Sequence, residues 1–412
     1  MNNNARLTNR IDIVDALRGF SLAGIVIVHF LEQYLGGPSP QSAGAFTQQN
    51  PVDPVLEVIF SVLIRGKFFA LFSFLFGLSF FIQMERGAHR TGGDFRLRFA
   101  WRLVILFVIG FLHHMFYRGD ILTVYAMLGV PLILFYQVPD KWVIAVTALL
   151  FLGLPRILIQ ITGYEPFHTF LPDWQSGKDS PAVLAYWEAI KSGAWAEVAG
   201  LNATEGFGMK MGFQFGQMSR AYQTFGWFLL GMLAGRWRYF EELDGNKPFT
   251  KKIFKWSIIG FFSLVILAAV IFGLFGKYIP PSMQMLVGMT VYDLANITMT
   301  FFYITAFVML FSKEKWQSRL NVFSPYGRTA LTNYVMQTLI GTTILYGYGF
   351  GLLGEIGNTS TLAISLILCI LQIWVSRIWL QHYYYGPLEW LWRTLTWFKW
   401  QPWRRHQKLS AA

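Results

Sequence analysis

Apolar residues along this chain fall in long blocks rather than short alternating runs. Blocks near or above bilayer-spanning length occupy residues 13–34, 68–84, 99–117, 121–136, 142–161, 221–235, 253–275, 285–311, 329–346 and 362–380. A hydrocarbon core about 30 Å thick takes roughly twenty helical residues to cross. The pattern therefore predicts an all-α protein, a polytopic transmembrane helical bundle of about ten spans. No internal repeat or low-complexity linker interrupts it, so residues 1–412 are expected to form a single transmembrane domain.

The polar intervals add three smaller elements. Residues 163–210 are the only large extramembrane piece, an outer lid or loop segment in which 181–198 reads as one short amphipathic helix. Residues 54–64 read as a second such helix, leading into Arg65-Gly66-Lys67 at the mouth of the second block. The tail 387–403 carries Trp390, Trp392, Trp397, Trp400 and Trp403 among basic residues. Tryptophan collects at headgroup depth, so this tail is expected to be a cytoplasmic interfacial helix.

Composition agrees with a membrane setting: 54% of the 412 residues are hydrophobic and only 14% charged, against about 25% charged in soluble domains. Mean hydropathy is +0.42. The net charge of +12 is not a nucleic-acid signature, because its distribution follows the blocks. Basic clusters follow the second block (Arg86, Arg90, Arg96), the sixth (Arg236, Arg238, Lys247), the eighth (Lys313, Lys315, Arg319) and the tenth (Arg404, Arg405, Lys408). Residues 35–54, 162–201 and 346–361 are nearly free of lysine and arginine. The positive-inside rule then predicts both termini in the cytoplasm and a multi-pass protein of a bacterial inner membrane, with the bilayer as its partner. Arg6 and Arg10 before an apolar run resemble a secretory signal, but no small-residue cleavage site follows, so a retained first helix is expected. The single cysteine, Cys369, excludes an intramolecular disulfide and a cysteine-rich metal site. No Walker loop, dinucleotide fingerprint or nucleophile motif is present.

Polar residues inside apolar blocks carry the candidate chemistry. Arg18 and His29 lie eleven residues apart in the first block, which on a helix is roughly 16 Å along the axis and within about 20° of one face. Asp15 is three residues before Arg18, close enough to pair. Toward the outer ends of the first four blocks lie His29, Arg65, Lys67, His113, His114, Arg118 and Asp120. Converged, they would form a basic, histidine-rich pocket in which a general base sits among cations that bind an anionic or carbonyl-bearing substrate. Alternatively, Arg65, Lys67 and Arg118 only snorkel to the interface. Adjacent helical residues point about 100° apart, so at most one of His113 and His114 is expected to face the pocket. No metal is expected; a site of these histidines with Asp120 is the weaker alternative. Asp293 lies deep in the eighth block, where it could orient a histidine, relay protons or be satisfied by a neighbouring helix. Toward the cytoplasmic side lie Asp12, Asp15, Arg18, Arg328, Asn333, Glu389 and Arg393. Glu389 and Arg393 are expected to lock helix ends, while Arg18, Arg98, Arg102 and Arg328 could receive phosphates of a cytoplasmic cofactor.

Several strings resemble the YeiB family of bacterial membrane proteins: IDIVDALRGFSLAGI (11–25), GKFFALFSFLFG (66–77), RGDILTVYAMLG (118–129), GRTALTNYVMQT (327–338) and YGPLEWLWRTLTW (385–397). The resemblance covers nearly the whole chain. More widely, the Arg18–His29 spacing resembles the first-helix signature of bacterial acyltransferases that decorate surface glycans, which are similar in turn to heparan-α-glucosaminide N-acetyltransferase. That resemblance implies transfer of an acyl group from cytoplasmic acyl-CoA or acetyl-CoA, as co-substrate, to a small-molecule, glycan or lipid acceptor across the membrane. It carries over to Arg18 and His29 only. The alternative is a transporter or lipid-handling protein without acyl chemistry, whose basic pocket binds an anionic substrate while Asp293 and the histidines handle protons.

Overall fold

The computed structural model describes residues 11–40, 43, 48–167 and 180–405; Arg6, Arg10 and Lys408, and with them part of the charge argument, lie outside these. Among the described residues the chain is helical, with no strand beyond one isolated bridge between Tyr383 and Arg404. Helices α1 (Asp12–Leu31), α2 (Asp53–Leu63), α3 (Lys67–Thr91), α4 (Arg96–His114) and α5 (Leu122–Phe135) build the first half. They are followed by α6 (Asp140–Phe151), α7 (Leu154–Thr162), α8 (Pro181–Ser192), α9 (Trp195–Leu201), α10 (Phe207–Phe215) and α11 (Arg220–Arg236). The second half comprises α12 (Lys247–Val270), α13 (Pro281–Phe311), α14 (Glu314–Leu320), α15 (Phe323–Arg328), α16 (Ala330–Leu345), α17 (Asn358–His382) and α18 (Pro387–Trp397).

Each of the ten apolar blocks contains helix, but not all are long enough to cross a bilayer. Among the described residues six helices are long and apolar enough, or seven if α6 and α7 count as one bent span. The block 142–161 is divided because Gly153 adopts φ +79° and Pro155 follows at the start of α7, so the two helices meet at 57°. Helices α5, α11 and α16, at 14, 17 and 16 residues, reach only about 21–26 Å at 1.5 Å per residue. The structure thus establishes a multi-pass helical protein with about six candidate spans, fewer than the ten expected. The 181–198 segment is likewise not one helix: extended backbone at Gly193 and Ala194 separates α8 from α9, and a π-helical turn over Asn202–Gly206 leads into α10.

Helix α1 is the hub. It is buried over most of its length and packs against α3, α13, α15, α16 and α17. Its contact with α15 is backbone to backbone: a Cβ on Gly19 would fall 2.1 Å from the Phe323 carbonyl oxygen, and one on Gly327 1.9 Å from that of Asp15. The α3–α11 pair is closed in the same way by Gly77 and Gly231, whose Cβ atoms would fall 2.0 Å and 1.9 Å from the carbonyls of Phe228 and Phe74. Small residues let membrane helices approach this closely. Gly77→Val and Gly231→Val should each destabilise by about 1–3 kcal/mol through overpacking, seen as a lower thermal unfolding midpoint in detergent. Gly273→Ala, where nothing lies within 4 Å, should leave the midpoint unchanged.

Helix ends are secured by remote carboxylates. Asp53 accepts from the backbone N–H groups of Gln49 (2.8 Å), Asn50 (3.1 Å) and Thr359 (2.7 Å), so it ties α2 to the start of α17. Glu389 accepts from Leu331 N (2.7 Å), Thr332 N (3.1 Å) and Thr332 Oγ1 (2.6 Å), capping α16 from α18. This is the locking role expected of it. Helix α18 lies along α4, with Trp392 Nε1 donating to Arg102 O and the Arg102 guanidinium 3.6 Å from the Trp392 ring centroid.

Candidate functional site

Two cavities meet inside the bundle. The first, about 210 Å³, lies toward the start of α1 and is lined by Arg18, Ser79, Gln83, Arg102, Arg328 and Trp392 among others. The second, about 750 Å³, lies toward the end of α1 and is lined by His29, Glu32, Arg65, Arg118, Lys210, Arg220 and Asp293 among others. Tyr125 and Tyr334 line both. One α-helix thus presents a guanidinium to one chamber and an imidazole to the other, with two tyrosines in the partition.

In the smaller chamber Arg18 is braced: Nη1 meets Asp15 Oδ1 at 2.8 Å and Nη2 donates to Ser79 Oγ at 2.8 Å. Arg102 and Arg328 reach the same space from α4 and α15. Three of the four arginines suggested as phosphate ligands therefore converge. Arg98 does not; its guanidinium lies 4.8 Å from the Trp397 ring centroid and donates to Thr396 O, fastening α4 to α18. Arg98 stands one helical turn before Arg102 on the same side of α4, and that turn sets it beside Trp397 rather than at the chamber.

In the larger chamber His29 sits among aromatic rings, with centroids of Tyr117, Tyr34 and Tyr334 at 5.1, 5.2 and 5.8 Å. Its buried Nδ1 has no hydrogen-bond partner among the described residues. Behind this wall lies a polar network. His113 Nδ1 is 2.8 Å from Asp120 Oδ1, which also accepts from Leu122 N at 3.0 Å and so caps α5. Lys210 Nζ donates to Thr123 Oγ1 (2.7 Å) and lies 3.0 Å from His114 Nδ1. An ammonium only donates, so His114 Nδ1 accepts, and Nε2–H donates to Asn202 O at 2.8 Å. By the same logic His113 gives its Nδ1 proton to the carboxylate. Its Nε2 is buried without a partner among the described residues, and the ring packs by Tyr334 with centroids 5.0 Å apart.

The sequence-derived site is thus partly assembled. His29, Arg65, Arg118 and Asp293 share the chamber, whereas neither His113 nor His114 lines it, and Asp120 stands with them. Lys67 is also outside: its buried ammonium donates to Ser61 O at 3.0 Å and staples α2 to α3. Asp293 is paired, Arg156 Nη2 lying 2.6 Å from Oδ2. Arg156, Lys210 and Arg220 were not legible as site residues. Lys210 stood at the end of a segment expected to lie outside the membrane, yet is buried. Arg156 interrupts an apolar block as Arg18 does, which was the available signal.

Comparison with known proteins places this architecture. Residues 234–399 match the family described as "Protein of unknown function (DUF418)". The whole chain is 31% identical over 411 residues to "Uncharacterized protein YxaH" of Bacillus subtilis (strain 168), covering 96% of each. The chain belongs to the YeiB-like DUF418 family. It is also 27% identical over 398 residues to "Uncharacterized protein YeiB" of Escherichia coli (strain K12), covering 93% of this chain and 95% of that one. No solved structure matches. The DUF418 region holds Asp293, Arg328, Tyr334 and Glu389, whereas Arg18 and His29 lie N-terminal to it. Both chambers therefore draw on residues inside and outside the family region.

Proposed function

We propose that this protein is an inner-membrane acyltransferase that takes an acyl group from cytoplasmic acyl-CoA and delivers it to a hydroxyl or amine arriving from the opposite face. The observation that carries the reading is the pair of chambers meeting at Tyr125 and Tyr334, one with three arginines and the other with His29. In this reading the basic clusters face the cytoplasm, and the Arg18 chamber would open to that side. At about 210 Å³ that chamber is below the roughly 300–1,000 Å³ of pockets that engulf drug-sized ligands. It suits the narrow pantetheine arm, with the nucleotide phosphates at its mouth near Arg18, Arg102 and Arg328. The thioester carbonyl would then reach the tyrosine partition.

His29 takes the proton of the acceptor O–H or N–H as its lone pair attacks the thioester carbon. Collapse of the tetrahedral intermediate breaks the C–S bond, and the proton passes to the departing thiolate, releasing free CoA. Tyr334 Oη accepts from Ile121 N at 3.3 Å, which leaves its own proton to donate to the developing oxyanion. The alternative, anion transport coupled to protons, draws support from the buried Arg156–Asp293 pair in the chamber wall.

The deciding experiment is thermal unfolding of detergent-purified protein with CoA, acetyl-CoA and dephospho-CoA. A ligand that binds only the folded state adds about 2.7 kcal/mol at one hundred times Kd. A saturable rise is expected with CoA species, weakened in Arg18→Ala and Arg102→Ala and retained in His29→Ala. No rise at millimolar ligand would overturn acyl transfer and leave transport.

A further inference from the structure

The charged groups of the larger chamber sort by what already holds them. Arg65 meets Glu32 at 3.0 Å and Glu57 at 3.1 Å. Arg118 donates to Leu35 O (2.8 Å) and Pro38 O (3.3 Å), and its guanidinium lies 3.6 Å from the Tyr186 ring centroid. Lys210 is held by Thr123, His114 and Asp120, and Asp293 by Arg156. Arg220 differs. Its guanidinium lies over Phe69, 3.5 Å from the ring centroid, and makes no hydrogen bond or ion pair among the described residues. The ring contact holds the guanidinium while leaving its N–H groups available, which suits recognition of a phosphate or carboxylate. The lining carries four cations (Arg65, Arg118, Lys210, Arg220) against three carboxylates (Glu32, Glu57, Asp293), a surplus of one positive charge.

Part of the remaining lining is apolar. Met209, Phe213 and Met218 on one side and Met289 and Tyr292 on the other give it an apolar flank. Phe213 of α10 and Tyr292 of α13 are each 38% exposed. Tyr292 lies on a candidate span, so this flank meets hydrocarbon rather than water.

From this we infer that the chamber takes an amphiphile with a phosphate-bearing headgroup, admitted sideways between α10 and α13, its phosphate on Arg220 and its chain along the methionine flank. The inference rests on reading the His29 chamber as the acceptor site, and it names the acceptor class. The shared chemistry is a phosphate ester, and the source to be distinguished is a lipid headgroup or a free sugar or glycerol phosphate.

The test is direct binding to the detergent-purified full chain by isothermal titration calorimetry, with dioctanoyl phosphatidic acid, dioctanoylglycerol and glycerol 3-phosphate. Phosphatidic acid should bind saturably and at least tenfold tighter than either of the others. Arg220→Gln should lose tenfold or more, and Arg220→Lys should recover part of it. Met289→Trp, which fills the flank while leaving every charged residue in place, should weaken the lipid but not glycerol phosphate, and keeps the test informative if Arg220→Gln fails to fold. Equal binding of glycerol 3-phosphate, equal binding of the neutral lipid, or an unaffected Arg220→Gln would each overturn the inference. CoA binding is scored separately, so lipid binding without CoA binding would retain this inference while removing acyl transfer, and the converse would do the opposite.

Discussion

Asp293→Asn should lower the stability of the purified protein by about 3–5 kcal/mol, the usual cost of removing one member of a buried ion pair. Arg156 and Asp293 meet at 2.6 Å, with side chains only 5% and 3% exposed. The guanidinium also donates to Gln217 O (2.9 Å) and Met218 O (3.0 Å), but its buried Nη1 has no partner among the described residues. The amide of asparagine would therefore leave a full positive charge facing only dipoles. Replacing both members, in Arg156→Met/Asp293→Leu, removes the buried charge altogether and should recover most of the loss, so the two substitutions are strongly non-additive. Denaturant titration in mixed micelles measures both variants against the parent protein. A wild-type midpoint in Asp293→Asn, together with lost function, would instead make Asp293 a proton-handling group, as transport requires.

That pair also shows what a single sequence reveals about such a protein. Asp293 stood out because a carboxylate deep in an apolar block demands an explanation. Its partner lies 137 residues away, and nothing in the pattern links them. Periodicity placed Arg18 and His29 on one face of one helix, and the structure sets them in two chambers at opposite ends of that helix. Helix existence was legible in every block because burial in lipid requires each backbone group to be paired within its own segment. Span count was less so: Gly153 and Pro155 divide one block, and α5, α11 and α16 fill blocks that are themselves too short to cross a bilayer unaided. Several family-like strings have a packing meaning. Gly19, Gly77 and Gly327 sit inside them at points where helix backbones touch. Their specificity therefore reports architecture as much as chemistry. Arg220 was passed over because it opens an apolar block, where an arginine reads as a snorkelling flank. Only its place over the Phe69 ring and the lack, among the described residues, of a carboxylate at ion-pair distance set it apart, Asp293 and Glu32 acting on it from further off.

His29→Ala should lower the rate of acyl-CoA-dependent thiol release in proteoliposomes by roughly 10²–10⁴-fold, the usual contribution of a general base. CoA-induced stabilisation should persist, because the ring belongs to the other chamber. Tyr117, Tyr34 and Tyr334 surround the imidazole with centroids 5.1–5.8 Å away, so truncation leaves a walled space rather than a collapsed one. Asp120→Asn tests the neighbouring imidazole independently. Its carboxylate serves His113, Leu122 N and Thr123 N, so this substitution should reduce stability through the α5 cap, with a smaller effect on rate than loss of His29. If His29→Ala turned over normally while His113→Ala did not, proton abstraction would belong to His113 across Tyr334. The buried Nε2 of His113 would then have to be reached by the acceptor, which requires α4 and α16 to part around Tyr334. Normal turnover in both variants would leave no imidazole within reach of the tyrosine partition, and acyl transfer by this chemistry would be excluded.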